Sequence, residues 1–420
     1  MGTPVSAPRS TTPWPLVALF TAGYLAPYLL PTVVGRLDSG LPVSATEAGA
    51  IGSALLLSSA AAGFLLAARV ARIGPRTLAR AGLALAVLGY GGAALTTTVW
   101  AVVTGAVIGG FGSGTATAVA ATGIAARREP HRATTAGLLG VSALAGAVYL
   151  TVPHLGPGHG LPLAAIALTA LAVWPLTGRL ATAAAAAPRP GRENARPRLP
   201  HLRSGLVLAA AMPCWSMAQN SLWGVSGRIG LSQAHLTEAT VGVVFAVGLG
   251  AGLLGVVGAG ALGPRLGHAL PIGAGTGLIA VCIAVSASAT GLAGFAVGEI
   301  AWNACYPIVL SYVIGLAASL DPHGRWAVLV GSASSLGTAA GPLTGSVLAA
   351  QAGFPAMGAV LAAGLLVIAV PMTAVAMRAT RRAPVAVEVL EIPVDAPPLS
   401  ARRSAYDAAG PLSAGRAASR

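Results

Sequence analysis

One acidic residue lies within a long apolar stretch of this sequence, where a carboxyl group could exchange a proton or bind a cation. Glu299 is followed by Asn303 and Tyr306 at i+4 and i+7, so the three side chains share one face of a helix. A charged side chain in hydrocarbon costs roughly 2.5 to 3.5 kcal/mol on insertion scales, which makes such a residue a candidate functional site. Because desolvation favours the neutral form of a carboxyl, we predict that Glu299 is a proton-coupling residue. The alternative is a structural, protonated Glu299 that a neighbouring hydroxyl group satisfies.

Polar and aromatic side chains at helical spacing also occur in two other apolar stretches. The first set is Tyr24, Tyr28 and Pro31; the second is Ser216, Asn220 and Trp223, with Gln219 beside it. Pro27 and Pro31 should bend the first stretch, because proline removes a helix hydrogen bond. A cavity lined by such groups, together with Asn303, Tyr306 and one carboxylate, suits a neutral or cationic amphiphile. For the two tyrosines, a place in an interfacial aromatic belt is the alternative.

The elements that must position these residues are apolar segments long enough to cross a bilayer. Of the 420 residues, 55% are hydrophobic and 9% are charged, whereas soluble domains carry about 25% charged residues. A helix of ~20 residues spans the ~30 Å hydrocarbon core. We predict an all-α integral membrane protein with twelve transmembrane helices, which begin near Trp14, Thr46, Thr77, Val99, Ala133, Gly160, Gly205, Ala239, Ala269, Gly291, Arg325 and Phe354.

The arginines indicate which side of the membrane each loop faces. All 25 basic residues are arginine, and with a cytoplasmic N-terminus only Arg36 and Arg228 fall outside. This distribution follows the positive-inside rule. The net charge of +14 is therefore spread over inner loops, and we do not expect a nucleic-acid partner. We predict a multi-pass plasma-membrane protein with both termini in the cytoplasm.

The second half of the chain repeats the first at an offset of about 192 residues. The segments at 35–52 and 227–242 share Gly-Arg and a later Thr-Glu, and those at 129–140 and 321–331 begin with Glu-Pro-His and Asp-Pro-His. Repeats of this kind place a substrate site at the midplane between two halves that rock against each other.

A break rich in proline and arginine separates the repeats and divides the predicted chain. We expect a cytoplasmic N-terminal tail (1–13), a first six-helix half (14–178), a cytoplasmic linker (179–204), a second six-helix half (205–377) and a disordered cytoplasmic tail (378–420).

One inner loop and its copy carry a recognisable pattern of glycine and basic residues. The pattern is Gly, three residues, Asp, a basic residue, any residue, Gly and further basic residues. It falls here on Ala67, Ala71, Arg72, Gly74 and Arg76, with alanine at the Gly and Asp positions, and its copy keeps Gly260, Arg265 and Gly267.

With its two six-helix halves, the chain resembles the major facilitator superfamily (MFS) of secondary transporters over residues 14–377, and bacterial drug/proton-antiporter-like efflux permeases within it. In that family this loop latches the halves on the cytoplasmic side. The resemblance therefore implies that Arg72, Gly74, Arg76, Arg265 and Gly267 belong to cytoplasmic gating loops. It also implies that helices one, four, seven and ten line the cavity.

A glycine-proline pattern of exporters appears in the predicted eleventh helix rather than in the fifth. It consists of Gly337, Gly341, Pro342 and Gly345. Small residues at this spacing allow two helix backbones to approach closely, and helix packing is the favoured interpretation.

The residues and the resemblance together predict a transporter rather than an enzyme. A P-loop needs a lysine, which this chain lacks, and we find no catalytic constellation and no metal-ligand spacing. We expect no cofactor, and a monomer in the lipid bilayer that exports a small organic molecule in exchange for protons. An importer or uniporter on the same fold is the alternative, and a membrane-embedded enzyme or receptor is a more remote one.

Overall fold

The computed structural model describes residues 14–127, 129–180, 199–262, 266–321 and 323–382. Over these residues it contains thirteen α-helices, no strand, and short 3₁₀ or π turns at helix ends. The helices are α1 (Trp14–Tyr28), α2 (Leu30–Gly40), α3 (Ala45–Leu66), α4 (Val70–Ile73), α5 (Pro75–Leu95), α6 (Val99–Ala125), α7 (Pro130–Thr151), α8 (Gly160–Val173), α9 (Leu202–Arg228), α10 (Glu238–Leu262), α11 (Ala269–Ala287), α12 (Leu292–Ser319) and α13 (Arg325–Arg382).

The membrane-spanning character of the fold follows from the length and hydropathy of these helices. Within the described residues, nine helices are long and apolar enough to cross a bilayer, or ten when the bent pair α1–α2 counts as one span. α13 has a non-helical residue, Gly353 (φ 79°, ψ 166°), next to the predicted start at Phe354. α9 has 27 residues but is not among these spans. The all-α, multi-pass membrane architecture is confirmed, and the count of twelve remains a prediction.

The predicted bend in the first span is confirmed at Leu29. The axes of α1 and α2 meet at 48°. Pro31 has no N–H to donate to the carbonyl of Pro27, four residues earlier. The indole Nε1 of Trp223, in α9, donates to that carbonyl instead, at 3.0 Å. The proline thus both bends the span and frees a backbone acceptor for another helix.

The glycines of the predicted eleventh helix lie against α9. A Cβ on Gly337 would overlap the backbone of Pro213, and Cβ atoms on Gly341 and Gly345 would overlap Asn220 and Ser221. The Ser221 hydroxyl donates to the carbonyl of Gly341 at 3.0 Å. Pro342 packs against the glycines of α3 and α9 that face it, Gly49, Gly52 and Gly224.

The inner loop at 67–76 turns at Gly74, whose φ of 100° favours glycine. Arg72 is exposed. Arg76 donates to the carbonyl of Leu180 at 3.1 Å and to that of Gly178, so it holds the end of the same predicted half. In the copy of this loop, Gly267 also has a positive φ, 59°.

Several predicted segments lie outside the described residues. They are the N-terminal tail (1–13), most of the linker (181–198), the C-terminal tail from residue 383, and Arg265. The division into halves remains a prediction, and we use "first half" for residues 14–178 and "second half" for residues 205–377.

Candidate functional site

The carboxyl group of Glu299 is fully buried in α12 and faces two serines. The hydroxyls of Ser226, in α9, and Ser286, in α11, each donate to its Oε1 at 2.7 Å. Its second oxygen, Oε2, has no hydrogen-bond partner among the described residues. The site is therefore a desolvated carboxyl with one oxygen free to hold a proton or a ligand.

The two predicted partners of Glu299 on α12 make other contacts. Asn303 donates its Nδ2 to the backbone carbonyl of Glu299 at 2.9 Å. The Tyr306 ring stacks on Trp215, with 5.4 Å between the centroids. Sequence reasoning missed the two serines. Ser226 could have been found, because Gln219, Trp223 and Ser226 have the same i, i+4, i+7 spacing as Glu299 and its neighbours.

Aromatic rings of α9 and α12 pack together beside this carboxyl. The ring centroid of Trp302 is 5.6 Å from that of Trp223 and 5.8 Å from that of Tyr306. We call these rings, with Trp215 stacked on Tyr306, the aromatic cluster. Trp302 donates its Nε1 to the side-chain carbonyl of Gln219. Two buried donors of this aromatic cluster, Gln219 Nε2 and Trp215 Nε1, have no partner within the described part of the chain. They are available to an acceptor group of a ligand.

The tyrosines of α1 approach the aromatic cluster from the first half. Tyr24 stacks on Phe20 with 4.4 Å between centroids, and both Tyr24 and Tyr28 are half-buried. Trp223 of the aromatic cluster donates its indole Nε1 to the backbone carbonyl of Pro27, in the same helix as these tyrosines, at 3.0 Å. The structure thus brings together residues from three of the four helices that the resemblance assigns to the cavity.

Two polar residues of α9 face α13 instead of the aromatic cluster. The Ser216 hydroxyl is 2.6 Å from that of Ser334. Asn220 donates to the carbonyl of Ser216 at 2.9 Å and to the Thr338 hydroxyl at 3.3 Å. The sequence pattern predicted that Ser216, Asn220 and Trp223 share one face of this helix. In the structure Ser216 and Asn220 face α13, whereas Trp223 packs in the aromatic cluster.

A cavity of about 310 Å³ lies at the end of the molecule that is predicted to face outward. We call it the outer cavity. Its walls come from both predicted halves and include Thr32, Arg36, Tyr149, Glu238, Val241 and Phe245. Tyr149, in this wall, donates its hydroxyl to the backbone carbonyl of Tyr28 at 2.5 Å. Sequence reasoning did not predict this cavity, although it singled out Arg36 and Arg228 as the outer arginines.

Sequence comparisons gave no relative: no family model and no curated protein matches this chain. Solved structures do match. The human organic anion transporter MFSD10 (TETRAN) has a TM-score of 0.62 at 16% identity, over 87% of this chain and 100% of that one. The nucleoside transporter NupG has a TM-score of 0.66 at 13% identity, over 86% and 99%. An auto-inhibited POT-family peptide transporter has a TM-score of 0.68 at 16% identity, over 87% and 96%.

At these sequence identities the matches show a similar fold. Each match covers nearly the whole length of the solved structure. The chain has the fold of the MFS-type transporters.

Proposed function

We propose that this protein is a secondary transporter that moves a small organic molecule across the plasma membrane by alternating access. The observation that carries the proposal is the buried Glu299 carboxyl, with one unpartnered oxygen, next to the aromatic cluster. A desolvated carboxyl without a charged partner is costly to keep ionised. A buried carboxyl of this kind is therefore better explained by a role in proton exchange than by a contribution to the stability of the fold.

The proposed mechanism is a competition at Glu299. The carboxyl binds either a proton or a cationic group of the substrate, because the binding of both together leaves an uncompensated positive charge in a buried site. When one side of the protein opens, the carboxyl exchanges its proton with that compartment. A gradient of protons can then drive substrate in the opposite direction, which is proton-coupled efflux.

The substrate chemistry follows from the rings and donors around the site. The indole and phenol faces of Trp302, Trp223 and Tyr306 favour flat apolar groups and cations. The unpartnered N–H groups of Gln219 and Trp215 favour a molecule that also presents an acceptor oxygen or nitrogen. We therefore propose a neutral or cationic amphiphile with an aromatic surface as the substrate class.

The test uses the purified protein in proteoliposomes. A thermal-shift screen of amphiphiles first identifies a ligand, and counterflow of that ligand then establishes transport. Glu299→Gln keeps the shape of the side chain and removes its titration. We expect this variant to retain ligand exchange and to lose accumulation driven by an imposed pH gradient.

The control is Glu129→Gln, the same change at an exposed residue on the predicted cytoplasmic side. It should leave both activities as in the wild type. If the Glu299→Gln variant still concentrates ligand against its gradient, the coupling group lies elsewhere. If no ligand undergoes counterflow, transport itself is refuted for the ligands bound.

An importer or uniporter on the same fold is the alternative, and one residue favours it. Ala71 stands where the family's loop has an acid, so the cytoplasmic latch of the family is altered here and leaves the alternative open. The direction of proton movement distinguishes the two functions. The measurement is the pH of the compartment to which ligand is added. This pH should fall in antiport, because protons arrive from the other compartment as ligand leaves. It should rise in symport, because protons leave with the ligand, and it should not change in uniport.

A further inference from the structure

The Arg36 side chain is almost entirely buried, and backbone carbonyls of its own half hold it in place. Its Nη1 donates to the carbonyls of Gly156 and Gly158, and its Nη2 to that of Val152, each at 3.0 Å. These carbonyls belong to the segment between α7 and α8. Because three bonds fix the guanidinium, its Nε–H is preorganised as a further donor.

The Nε–H donor of Arg36 reaches across to the second half. Arg36 Nε lies 2.6 Å from Oε1 of Glu238, in the first turn of α10. The Glu238 side chain is 38% exposed, against 7% for Arg36. The arginine is thus a fixed member of the first half, whereas the carboxylate can return to water when the halves separate.

A second arginine makes the reciprocal arrangement. Arg228, at the end of α9, donates its Nη2 to the hydroxyl of Ser346, in α13 of its own half, at 2.8 Å. Its Nη1 lies 3.9 Å from Oδ2 of Asp38, in α2 of the first half. Arg36 and Arg228 are equivalent positions of the sequence repeat, since each follows the glycine that opens a matched segment.

The cytoplasmic ion pairs behave differently. Arg132 and Glu129, 2.9 Å apart, belong to the first half. Arg325 lies 2.7 Å from Asp321 in the second half and holds the pKa of that carboxyl well below its usual range. Each of these pairs joins residues of one half, whereas the pairs of Arg36 and Arg228 join the two.

We propose that Arg36–Glu238 and Arg228–Asp38 form an outer latch that keeps the halves closed on the outward side. Each arginine is fixed in its own half and holds a carboxylate of the other half. The proposal rests on the alternating access proposed above. Opening breaks the Arg36–Glu238 hydrogen bond and separates the longer Arg228–Asp38 ion pair. The hydrogen bonds of each arginine within its own half stay in place, so the latch can close again without rebuilding either arginine site.

The partial exposure of the two ion pairs gives the outer latch an intermediate strength, so it can both hold the halves together and release them. A fully buried ion pair is difficult to separate, because the parted charges lose their partner inside the protein. Fully exposed pairs contribute little. Glu238 and Asp38 are partly exposed, so water compensates the carboxylates when the latch opens.

The test measures the opening of the outer cavity by cysteine labelling in the full-length protein. In a background with Cys214, Cys282 and Cys305 replaced by alanine, Val241→Cys provides a reporter that is 4% exposed in the closed state. Thr32→Cys provides a second reporter in the part of the wall that α2 of the first half contributes. A membrane-impermeant maleimide is applied from outside, and its rate of reaction reports the open fraction.

Removal of one latch carboxylate should raise that rate. We expect Glu238→Gln to speed the labelling of both reporters by roughly tenfold, as expected when a charge-assisted hydrogen bond is lost. Asp38→Asn should have a smaller effect because its pair is longer. The double variant should be the fastest. If the Glu238→Gln protein does not insert into the membrane, Glu238→Asp takes its place. This change shortens the side chain by one methylene and should also speed labelling.

The matched control is Glu47→Gln. Glu47 corresponds to Glu238 in the repeat, but it caps α3 through Ser44 of its own half, with an Oε2–N distance of 2.7 Å. In the Glu47→Gln variant both reporters should be labelled at the rate found in the wild type. Wild-type rates in the folded Glu238→Gln and double variants would overturn the outer latch. Labelling requires no substrate, so this result is independent of whether the protein transports any tested ligand.

Discussion

At the scale of single residues, the environment of Glu299 differs from that of a carboxyl that must stay charged. Asp321 is held by a guanidinium, which lowers its pKa and stabilises only the ionised form. Glu299 is held by two hydroxyls, and a serine hydroxyl can donate to a carboxylate or accept from a protonated carboxyl. The hydroxyls therefore allow both protonation states.

Removal of these hydroxyls should move the pH dependence of transport. In the Ser226→Ala/Ser286→Ala double variant the ionised form loses two donors while the neutral form loses little. A charge-assisted hydrogen bond contributes about 1.5 to 3 kcal/mol, so we expect the pH of half-maximal activity to rise by about one unit or more. Transport measured from pH 5 to 9 tests this, with Ser311→Ala, an exposed serine of α12, as the control. An unshifted profile would indicate that Glu299 does not titrate during the cycle.

At the scale of elements, close helix contacts depend on residues without side chains. Gly341 lets the backbones of α13 and α9 meet, and the contact carries the Ser221 hydrogen bond as well. The bent first span shows the complementary principle, since Pro31 leaves a carbonyl free for Trp223. In both cases one residue determines which neighbouring helix can approach.

Gly341→Ala should destabilise the protein by overpacking. Its Cβ would lie 2.5 Å from the Cβ of Asn220, and overpacked cores cost typically about 1 to 3 kcal/mol. The expected result is a lower Tm in detergent. Gly331→Ala is the matched control on the same helix, because a Cβ there meets nothing within 4 Å and alanine favours the helix. An equal Tm for both variants would contradict the packing role of Gly341.

At the scale of the whole molecule, contacts between the two predicted halves occur toward the outer end. Besides the outer latch, Trp223 donates to the carbonyl of Pro27, and the backbone N–H of Leu343 donates to the Ser53 hydroxyl at 2.9 Å. The outer cavity is enclosed by the same helices. We infer a state that is closed on the predicted outer side.

The assignment of sides can be tested in intact cells. A single cysteine at Asn194, in the predicted cytoplasmic linker, should resist an impermeant reagent until the cells are lysed, because the flanking arginines keep the linker inside. A cysteine at Ser39, an exposed residue in the last turn of α2, should react without lysis. Labelling at Asn194 in intact cells would overturn the predicted topology and would place the outer latch on the opposite side.

Features that depend on local pattern could be predicted from the amino-acid sequence. Hydropathy predicted the starts of the helices to within about three residues, from Trp14 to Arg325, because a membrane span needs ~20 apolar residues in succession. The rarity of charge in hydrocarbon identified Glu299, and the positive-inside rule isolated Arg36 and Arg228. None of these inferences needed a contact between distant residues.

Which side chains become partners depends on contacts between residues that are far apart in the sequence. Ser226 is 73 residues from Glu299, and Arg36 is 202 residues from Glu238. Periodicity gives the face of a helix but not the neighbour that covers that face, so Asn220 and Gln219 were expected in one cavity and have different neighbours. The contacts of Glu299 and the outer latch depend on how the helices pack, and packing arises from the whole chain at once.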